Sequence, residues 1–229
     1  MIINGIEKLS LVDYDGVAAC VLFTGGCNFV CPFCHNSPLV YNKNLPIIDN
    51  EEIFDFLIKR KNVLSGVVIT GGEPTLHADL PEFIKKIKSI GYKVKLDTNG
   101  TNPKMLSYLI GQKLIDYVAT DIKNSIEKYA LTAGVIDIDL EPVEESVKIL
   151  MRGQIEYEFR TTLIKELHEF CDIEKIAEWL NGSRKYVLQK FTERETCIEQ
   201  GYHEVEKNTA ESYQKYLSKY ISQVMLRGY

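Results

Sequence analysis

Short apolar segments alternate with amphipathic helix patterns along most of the chain, and this alternation limits the possible folds more than any other feature. Between the segments, apolar residues recur at three- and four-residue spacing, which is typical of a helix with one buried face. Repeated strand–helix units predict right-handed crossovers between parallel strands. The segments that we interpret as strands are Val17–Thr24, Gly66–Thr70, Lys93–Asp97, Tyr117–Asp121, Glu156–Thr162 and Lys185–Phe191.

The predicted sheet has too few strands for a closed barrel. Six strand–helix units are two fewer than the eight that close such a barrel, so we expect an α/β fold whose parallel sheet is open or curls toward a barrel. A last helical pattern, from Tyr213 to Val224, predicts a C-terminal helix over about residues 209–226. No Pro-, Gly- or Ser-rich linker interrupts the sequence, which predicts a single domain over residues 1–229 with its core at about residues 15–195.

Polar motifs follow the predicted strands at the point where each strand ends. Active sites of parallel α/β folds assemble at the carboxyl ends of strands, from residues far apart in sequence. We therefore expect six groups to meet at one mouth. In chain order they are the cysteine loop (residues 25–36), "TGGEPT" (residues 70–75), "DTNG" (residues 97–100), "DIK" (residues 121–123), Arg160 and Gln189.

The cysteine loop contains three cysteines, Cys27, Cys31 and Cys34. A structural zinc site takes four ligands and a redox dithiol takes two. Iron–sulfur clusters usually take four cysteines. Three thiolates would leave one iron without a protein ligand, which is how a metal site stays able to bind a substrate. The spacing favours such a cluster, and three alternatives stay open: zinc held with His35, a redox dithiol and structural thiols.

The remaining cysteines have simpler interpretations. Cys20 lies in an apolar strand, where we expect a small core residue. Cys171 and Cys197 are far apart in sequence and lack the spacing of metal ligands, so we predict no second cluster.

Charge and hydropathy argue against two classes of partner. The net charge of −5, from 27 basic and 32 acidic residues, speaks against a nucleic-acid binder. The longest apolar run, Val17–Phe23, is far too short to span a bilayer. The first residues, "MIINGIEKLSL", lack the basic head and apolar core of a signal peptide. We therefore expect no nucleic-acid or membrane partner, and a cytoplasmic protein with reduced thiols.

The cysteine spacing, with Phe33 before the last cysteine, resembles the signature of the radical S-adenosylmethionine (SAM) superfamily, and "GGEPT" resembles its Gly-Gly-Glu motif. This resemblance implies a partial (β/α)6 barrel of parallel strands. Over about residues 5–195 the chain further resembles activating enzymes of glycyl-radical enzymes, above all those of anaerobic ribonucleoside-triphosphate reductase. The motifs that carry this likeness are "SLVDYDG", "GGCNFVCPFCHN", "GGEPTLH", "LDTNG", "ATDIK" and "EFRTTL".

The resemblance also implies roles for individual residues. Cys27, Cys31 and Cys34 would ligate a 4Fe-4S cluster whose fourth iron binds SAM. Glu73 of the Gly71-Gly72-Glu73 motif would accept a hydrogen bond from the SAM amino group. Lys123 and Arg160 would face the SAM carboxylate, and Asp97 and Asp121 would help to bind a monovalent cation; caps of the following helices are the simpler interpretation of both aspartates. The implied cofactor contacts are thus Gly71, Gly72, Glu73, Asp97, Thr98, Asp121, Lys123 and Arg160.

The implied reaction is reductive cleavage of SAM, after which a 5′-deoxyadenosyl radical takes a hydrogen atom from a glycine of the partner enzyme. A flavodoxin or ferredoxin-type protein would supply the electron. Asp15 stands where the family commonly has proline, and the roles of His35, His77 and Gln189 are left open. Three alternatives remain: an activator of a pyruvate formate-lyase-type enzyme, a radical enzyme acting on a small molecule, and a non-enzymatic iron–sulfur module.

Overall fold

An eight-stranded sheet forms the frame of the computed structural model, which describes residues 1–41 and 45–229. The strands lie in the sheet in the order in which they occur along the chain. β1 is antiparallel to β2, and every later neighbouring pair is parallel. The strands are β1 (Ile3–Ser10), β2 (Ala19–Thr24), β3 (Gly66–Gly71), β4 (Lys93–Thr98), β5 (Tyr117–Asp121), β6 (Glu156–Leu163), β7 (Lys185–Lys190) and β8 (Gln223–Arg227).

Helices connect the parallel strands and bury their apolar faces against the sheet. In α3, for example, the buried residues Leu80, Phe83, Ile84 and Ile87 recur at helical spacing. Asp49 caps α2 by accepting a hydrogen bond from the Glu51 amide. The helices are α1 (Ser37–Tyr41), α2 (Asn50–Arg60), α3 (Leu80–Ser89), α4 (Pro103–Gly111), α5 (Tyr129–Ala133), α6 (Glu141–Met151), α7 (Phe170–Trp179) and α8 (Lys207–Leu217). Within the described ranges, no helix is both long and apolar enough to cross a bilayer.

The predicted α/β fold, with a mostly parallel sheet that forms a partial barrel, is confirmed. All six predicted strands occur, and two further strands, β1 and β8, were not predicted. The predicted helix over residues 209–226 is wrong in its second half, because α8 ends at Leu217 and Gln223–Arg227 is a strand. Val224 pairs with Tyr186 of β7, and this pairing overrides the helical spacing. The single-domain organisation stays a prediction.

The inner face of the sheet carries charged side chains that pair with one another. The Glu158 carboxylate is almost fully buried and lies 3.1 Å from Lys185 Nζ and 3.3 Å from Arg227 Nη1. Asp15, in the connection between β1 and β2, lies 2.7 Å from Lys185 Nζ. This ion pair joins the start of the sheet to β7, near its other edge, so the sheet is curled. The polar residues of the alternating strands therefore face an interior rather than solvent.

Candidate cofactor-binding site

A cavity of about 600 Å³ lies at the carboxyl ends of the parallel strands. All six predicted groups reach it through at least one residue, although they lie far apart in sequence. Glu73 is the one predicted contact that is absent from the lining of the described cavity. The predicted residues that line it are Cys27, Cys31, Cys34, Gly71, Gly72, Asp97, Thr98, Asp121, Lys123, Arg160 and Gln189.

Backbone hydrogen bonds from three parts of the chain hold the cysteine loop. The Gly26 amide donates to Leu39 O at 2.7 Å, and the Glu73 amide donates to Gly26 O at 2.8 Å. The Val30 amide donates to Ala133 O at 3.0 Å, which fastens the loop to α5. His77, whose role the sequence left open, places Nε2 3.0 Å from Gly25 O. The loop is therefore fixed by its backbone, and the three thiols stay available as ligands.

Two glycines outside the loop allow neighbouring segments of backbone to lie very close to the loop backbone. A Cβ at Gly72 would clash with the carbonyl oxygen of Gly26, and a Cβ at Gly134 would clash with that of Val30. Gly134 also has φ of 68°, a left-handed conformation that favours glycine. The Gly-Gly motif after β3 therefore supports the cysteine loop as well as lining the cavity.

The three loop thiols lie close enough to influence one another. Burial is the largest cause that raises the pKa of each thiol, to about 11 for Cys31. Cys34 raises the pKa of Cys27 and Cys31 further, and Cys197 raises that of Cys34. The Lys123 ammonium acts in the opposite direction on all three. Thiolates are the metal-binding form of cysteine, so filling the site must release protons.

The facing wall rests on a network of five charged residues, which we call the charged network. Asp97, Asp121, Lys123 and Arg160 line the cavity, and Lys95 pairs with Asp97 from behind them. Arg160 donates from Nη1 to Asp97 Oδ2 and from Nε to Asp121 Oδ1, both at 2.9 Å. Lys123 Nζ donates to Asp121 Oδ2 at 3.0 Å. Burial alone would raise the pKa of Asp121, but Arg160 and Lys123 lower it to about 2. The same ion pairs raise the pKa of Lys123 and Arg160 above their usual values, although burial opposes this.

Glu73 is fully buried and faces β4 rather than the cavity. Its Oε1 accepts hydrogen bonds from the Thr75 amide at 3.0 Å and from Thr98 Oγ1 at 2.7 Å. Its Oε2 accepts from the Asn99 amide at 2.6 Å. Burial raises the pKa of Glu73, and these hydrogen bonds act against that rise. The carboxylate thus joins the turn after β3 to the end of β4, and its contact with a SAM amino group stays a prediction.

Lining residues outside the six predicted groups, among them Phe191 and Arg194, were missed by the sequence analysis. Phe191 and Arg194 follow β7, and the Phe191 ring packs edge-on against Phe33 of the cysteine loop. Asn99 bonds through Nδ2 to Asn28 Oδ1 at 2.8 Å, which links the end of β4 to the loop. Burial, followed by the charge of Arg194, lowers the pKa of His35. Phe191 and Arg194 follow the end of β7, so their position was the only available signal, whereas Asn99 and His35 belong to predicted groups.

The three thiols and the surrounding glycine contacts fit a cluster held by the loop. Cys27, Cys31 and Cys34 all line the cavity. Cys197 lies behind the loop, where Sγ donates to Phe33 O at 3.6 Å, and Cys20 is buried in β2. Cys171 is exposed on α7. The loop therefore offers three thiol ligands to one site, and the charged network faces them.

The family model of the radical SAM superfamily matches residues 21–180, which is more than half of the chain. The chain belongs to the radical SAM superfamily. Membership implies an enzyme that uses a 4Fe-4S cluster and SAM. The cysteine loop and the facing network of this radical SAM enzyme suit these cofactors in ligand type and in charge.

A relative from Methanocaldococcus jannaschii, provisionally named a glycyl-radical enzyme activating enzyme, is 34% identical over 99% of this chain and 95% of its own length. The radical SAM enzyme described above belongs to the same family. Streptococcus suis SuiB bound to S-adenosylmethionine superposes with a TM-score of 0.70 at 14% identity, over 91% of this chain and 52% of SuiB. A domain of pyruvate-formate lyase-activating enzyme from Bacteroides vulgatus gives 0.59 at 17% identity, over 72% of this chain and 99% of that domain. The two structures support the fold.

Proposed function

We propose that this radical SAM activating enzyme generates a glycyl radical on anaerobic ribonucleoside-triphosphate reductase. The observation that carries the proposal is that the cysteine loop, the Gly-Gly turn and four members of the charged network line one cavity, namely Asp97, Asp121, Lys123 and Arg160. The relationship to a glycyl-radical enzyme activating enzyme over nearly the whole chain supports the general activity. The choice of the reductase rests on the sequence motifs that resemble its activating protein.

In this proposal the two walls of the cavity have separate tasks. Cys27, Cys31 and Cys34 would hold the 4Fe-4S cluster, which supplies the electron that cleaves SAM. The charged network contains three cations and two aspartates, which leaves one net positive charge. That surplus suits the carboxylate of SAM, because a buried anion is costly without a compensating charge. Lys123 is the best placed donor, since within the described residues its ammonium donates a single hydrogen bond, to Asp121.

Exposed apolar side chains beside the cysteine loop support a protein substrate. Leu131 and Ile136 lie close in sequence to Ala133 and Gly134, the residues that contact the loop. Their side chains are 62% and 105% exposed, respectively. Exposed apolar side chains mark contact with another protein where they form one patch, and the proposal takes these two as part of such a patch. In the proposal, a glycine-bearing segment of the reductase approaches the cavity from this side.

The electron donor and the location complete the proposal. A flavodoxin or ferredoxin-type protein would reduce the cluster, and both proteins would act in the cytoplasm, where thiols stay reduced. The sequence features that argue against a nucleic-acid or membrane partner are consistent with this location.

The deciding experiment is electron paramagnetic resonance (EPR) of the enzyme mixed with the reductase, SAM and a reductant, without oxygen. We expect a glycyl doublet that disappears when the acceptor glycine of the reductase is replaced by alanine. A Cys31→Ser variant should give no doublet, and a Cys171→Ser variant should give the parent signal. A doublet only with a pyruvate formate-lyase-type partner would contradict the choice of reductase. No protein radical, together with turnover of a small molecule, would contradict activation altogether.

A further inference from the structure

The buried ammonium of Lys95 is the feature of the charged network that the proposed function does not explain. Its side chain is 4% exposed, and Nζ lies 3.1 Å from Asp97 Oδ1. It also donates a hydrogen bond to the backbone oxygen of Asp13, in the connection between β1 and β2. A buried ammonium is costly unless it is paired, so its position beneath the cavity requires a reason.

Lys95 completes a pattern in which every carboxylate oxygen of the two aspartates has a cationic side chain beside it. Asp97 Oδ1 faces Lys95, and Asp97 Oδ2 faces Arg160. Asp121 Oδ1 faces Arg160, and Asp121 Oδ2 faces Lys123. A metal cation bound by these aspartates would have to displace one of the three side chains and add positive charge to a network that already carries a surplus.

Asp97 Oδ1 depends on Lys95 more than the other three oxygens depend on their partners. Among the described residues this buried oxygen accepts no hydrogen bond, and its only cationic partner is the ammonium of Lys95. Replacing Lys95 by a small residue would leave Asp97 Oδ1 and Asp13 O around the space that the ammonium occupied. K⁺ and NH₄⁺ carry the charge of the lost ammonium and are close to it in size, and carboxylate and carbonyl oxygens are ligands for such hard cations.

We infer that Lys95 is a built-in monovalent cation, which holds Asp97, and through it Arg160, in position without a bound metal ion. The residues present therefore do not fit the monovalent cation site that the family resemblance implied at Asp97 and Asp121. Lys95 is a positioning residue, because it acts on SAM through Asp97 and Arg160. This inference rests on the proposed SAM site.

The test compares SAM affinity in K⁺, Na⁺ and choline chloride at one ionic strength, with cluster-loaded protein and without turnover. For the parent we expect dissociation constants that agree within about twofold in the three salts. For Lys95→Ala we expect weak binding in choline, and binding at least about fivefold tighter in K⁺. Lys95→Met fills the space without a charge and should bind weakly in every salt. Lys93→Ala, at an exposed lysine of the same strand, should match the parent.

Thermal unfolding of the cluster-free proteins gives a second readout. The unfolding temperature of Lys95→Ala should be higher in K⁺ than in choline, and that of the parent should be the same in both salts. Parent SAM affinity that falls fivefold or more in choline would overturn the inference and leave the SAM site intact. Lys95→Ala that binds SAM like the parent in choline would overturn it as well. A parent that binds SAM in none of the salts would instead contradict the proposed function. If Lys95→Ala does not fold, the SAM affinities of the parent in the three salts still test the inference.

Discussion

The two walls of the cavity are built in opposite ways. On one wall, backbone contacts hold the cysteine loop, and the side chains of Cys27, Cys31 and Cys34 line the cavity. On the other wall, side chains hold one another, since each aspartate oxygen of the charged network has a cation beside it. The loop is shaped for a ligand that completes it, and the network is largely complete before any ligand binds.

Because of this difference, we expect substitutions in the two walls to have effects of different size. A change in the loop should remove the ligand site or displace it, because nothing else supplies thiolates at that position. A change in the network should shift charge and orientation by smaller amounts, because the remaining members can still pair. The expected effects therefore decrease from the cysteines to the glycines that support them, then to Glu73, and last to residues behind the network.

Replacing a loop cysteine should have the largest effect. Cys27→Ser, Cys31→Ser and Cys34→Ser should each abolish the cluster, because three thiolates are the whole set offered by the loop. Cys20→Ser, Cys171→Ser and Cys197→Ser should keep the parent content of about four irons per chain. Iron and sulfide analysis after anaerobic reconstitution measures the outcome. Stoichiometric zinc in anaerobically prepared parent protein, without iron–sulfur absorbance, would contradict the cluster.

Gly72→Ala should disturb the loop from outside. The added Cβ would clash with the Gly26 carbonyl oxygen, so the cysteine loop or the turn after β3 must move. We expect the free energy of unfolding to fall by about 1–3 kcal/mol, together with a clear loss of iron. Gly111→Ala is the matched control, because a Cβ there meets open space. Equal iron content in the two variants would show that the close approach does not matter.

Glu73→Ala should weaken SAM binding and also loosen the connection between β3 and β4. The variant loses the predicted acceptor for the SAM amino group, at a cost of about 1.5–3 kcal/mol for a charged hydrogen bond. Calorimetric titration with SAM measures the change. Thr75→Val removes a donor to Glu73 and keeps the carboxylate, so it should retain most of the affinity. SAM affinity unchanged in Glu73→Ala would assign the carboxylate a purely structural role.

His168 gives the smallest expected effect, on the pH dependence of stability. Its Nδ1 accepts from the Ile164 amide, and Nε2 donates to Lys123 O at 2.9 Å, which holds the segment that carries Lys123. Burial lowers the pKa of His168 below its unfolded value. Stability from this group is therefore complete above about pH 6.5 and is lost as the pH falls below it, because only the unfolded chain then takes up the proton.

His168→Gln should make this loss shallower than in the parent, by up to about 1.4 kcal/mol for each pH unit. Denaturant unfolding of cluster-free protein between pH 7.5 and pH 5.5 measures both slopes. Parallel slopes would mean that His168 is protonated in the folded protein.

The sequence predicts most of the sheet because its parallel strands are short apolar segments between clear helix patterns. It did not predict β8, because Tyr220, Ile221 and Val224 continue the helical spacing of α8. The strand forms because Ser222 and Gln223 donate hydrogen bonds to Ser183 and Arg184, and no local pattern reports that pairing. β1 was missed because Gly5 and the polar residues after it weaken the alternation that marks a strand.

In the site as well, residues marked by a local motif were predicted, and a residue whose role depends on contacts distant in sequence was not. The cysteines and the Gly-Gly turn are predicted by their motifs, since their spacing follows from the chemistry of the ligand. Lys95 was not singled out, because a lysine that alternates with apolar residues in a strand normally faces solvent. Here the sheet curls, and the polar face of the strand encloses an interior with Asp97 and Arg160.

The most direct measurement is the formation of 5′-deoxyadenosine and methionine by the cluster-loaded enzyme with SAM and a strong reductant. We expect both products in equal amounts, slowly without a partner and not at all from Cys31→Ser. A parent protein that contains a full cluster and binds SAM, but forms neither product under reduction, would contradict the assignment of the cysteine loop and the charged network to one radical SAM site.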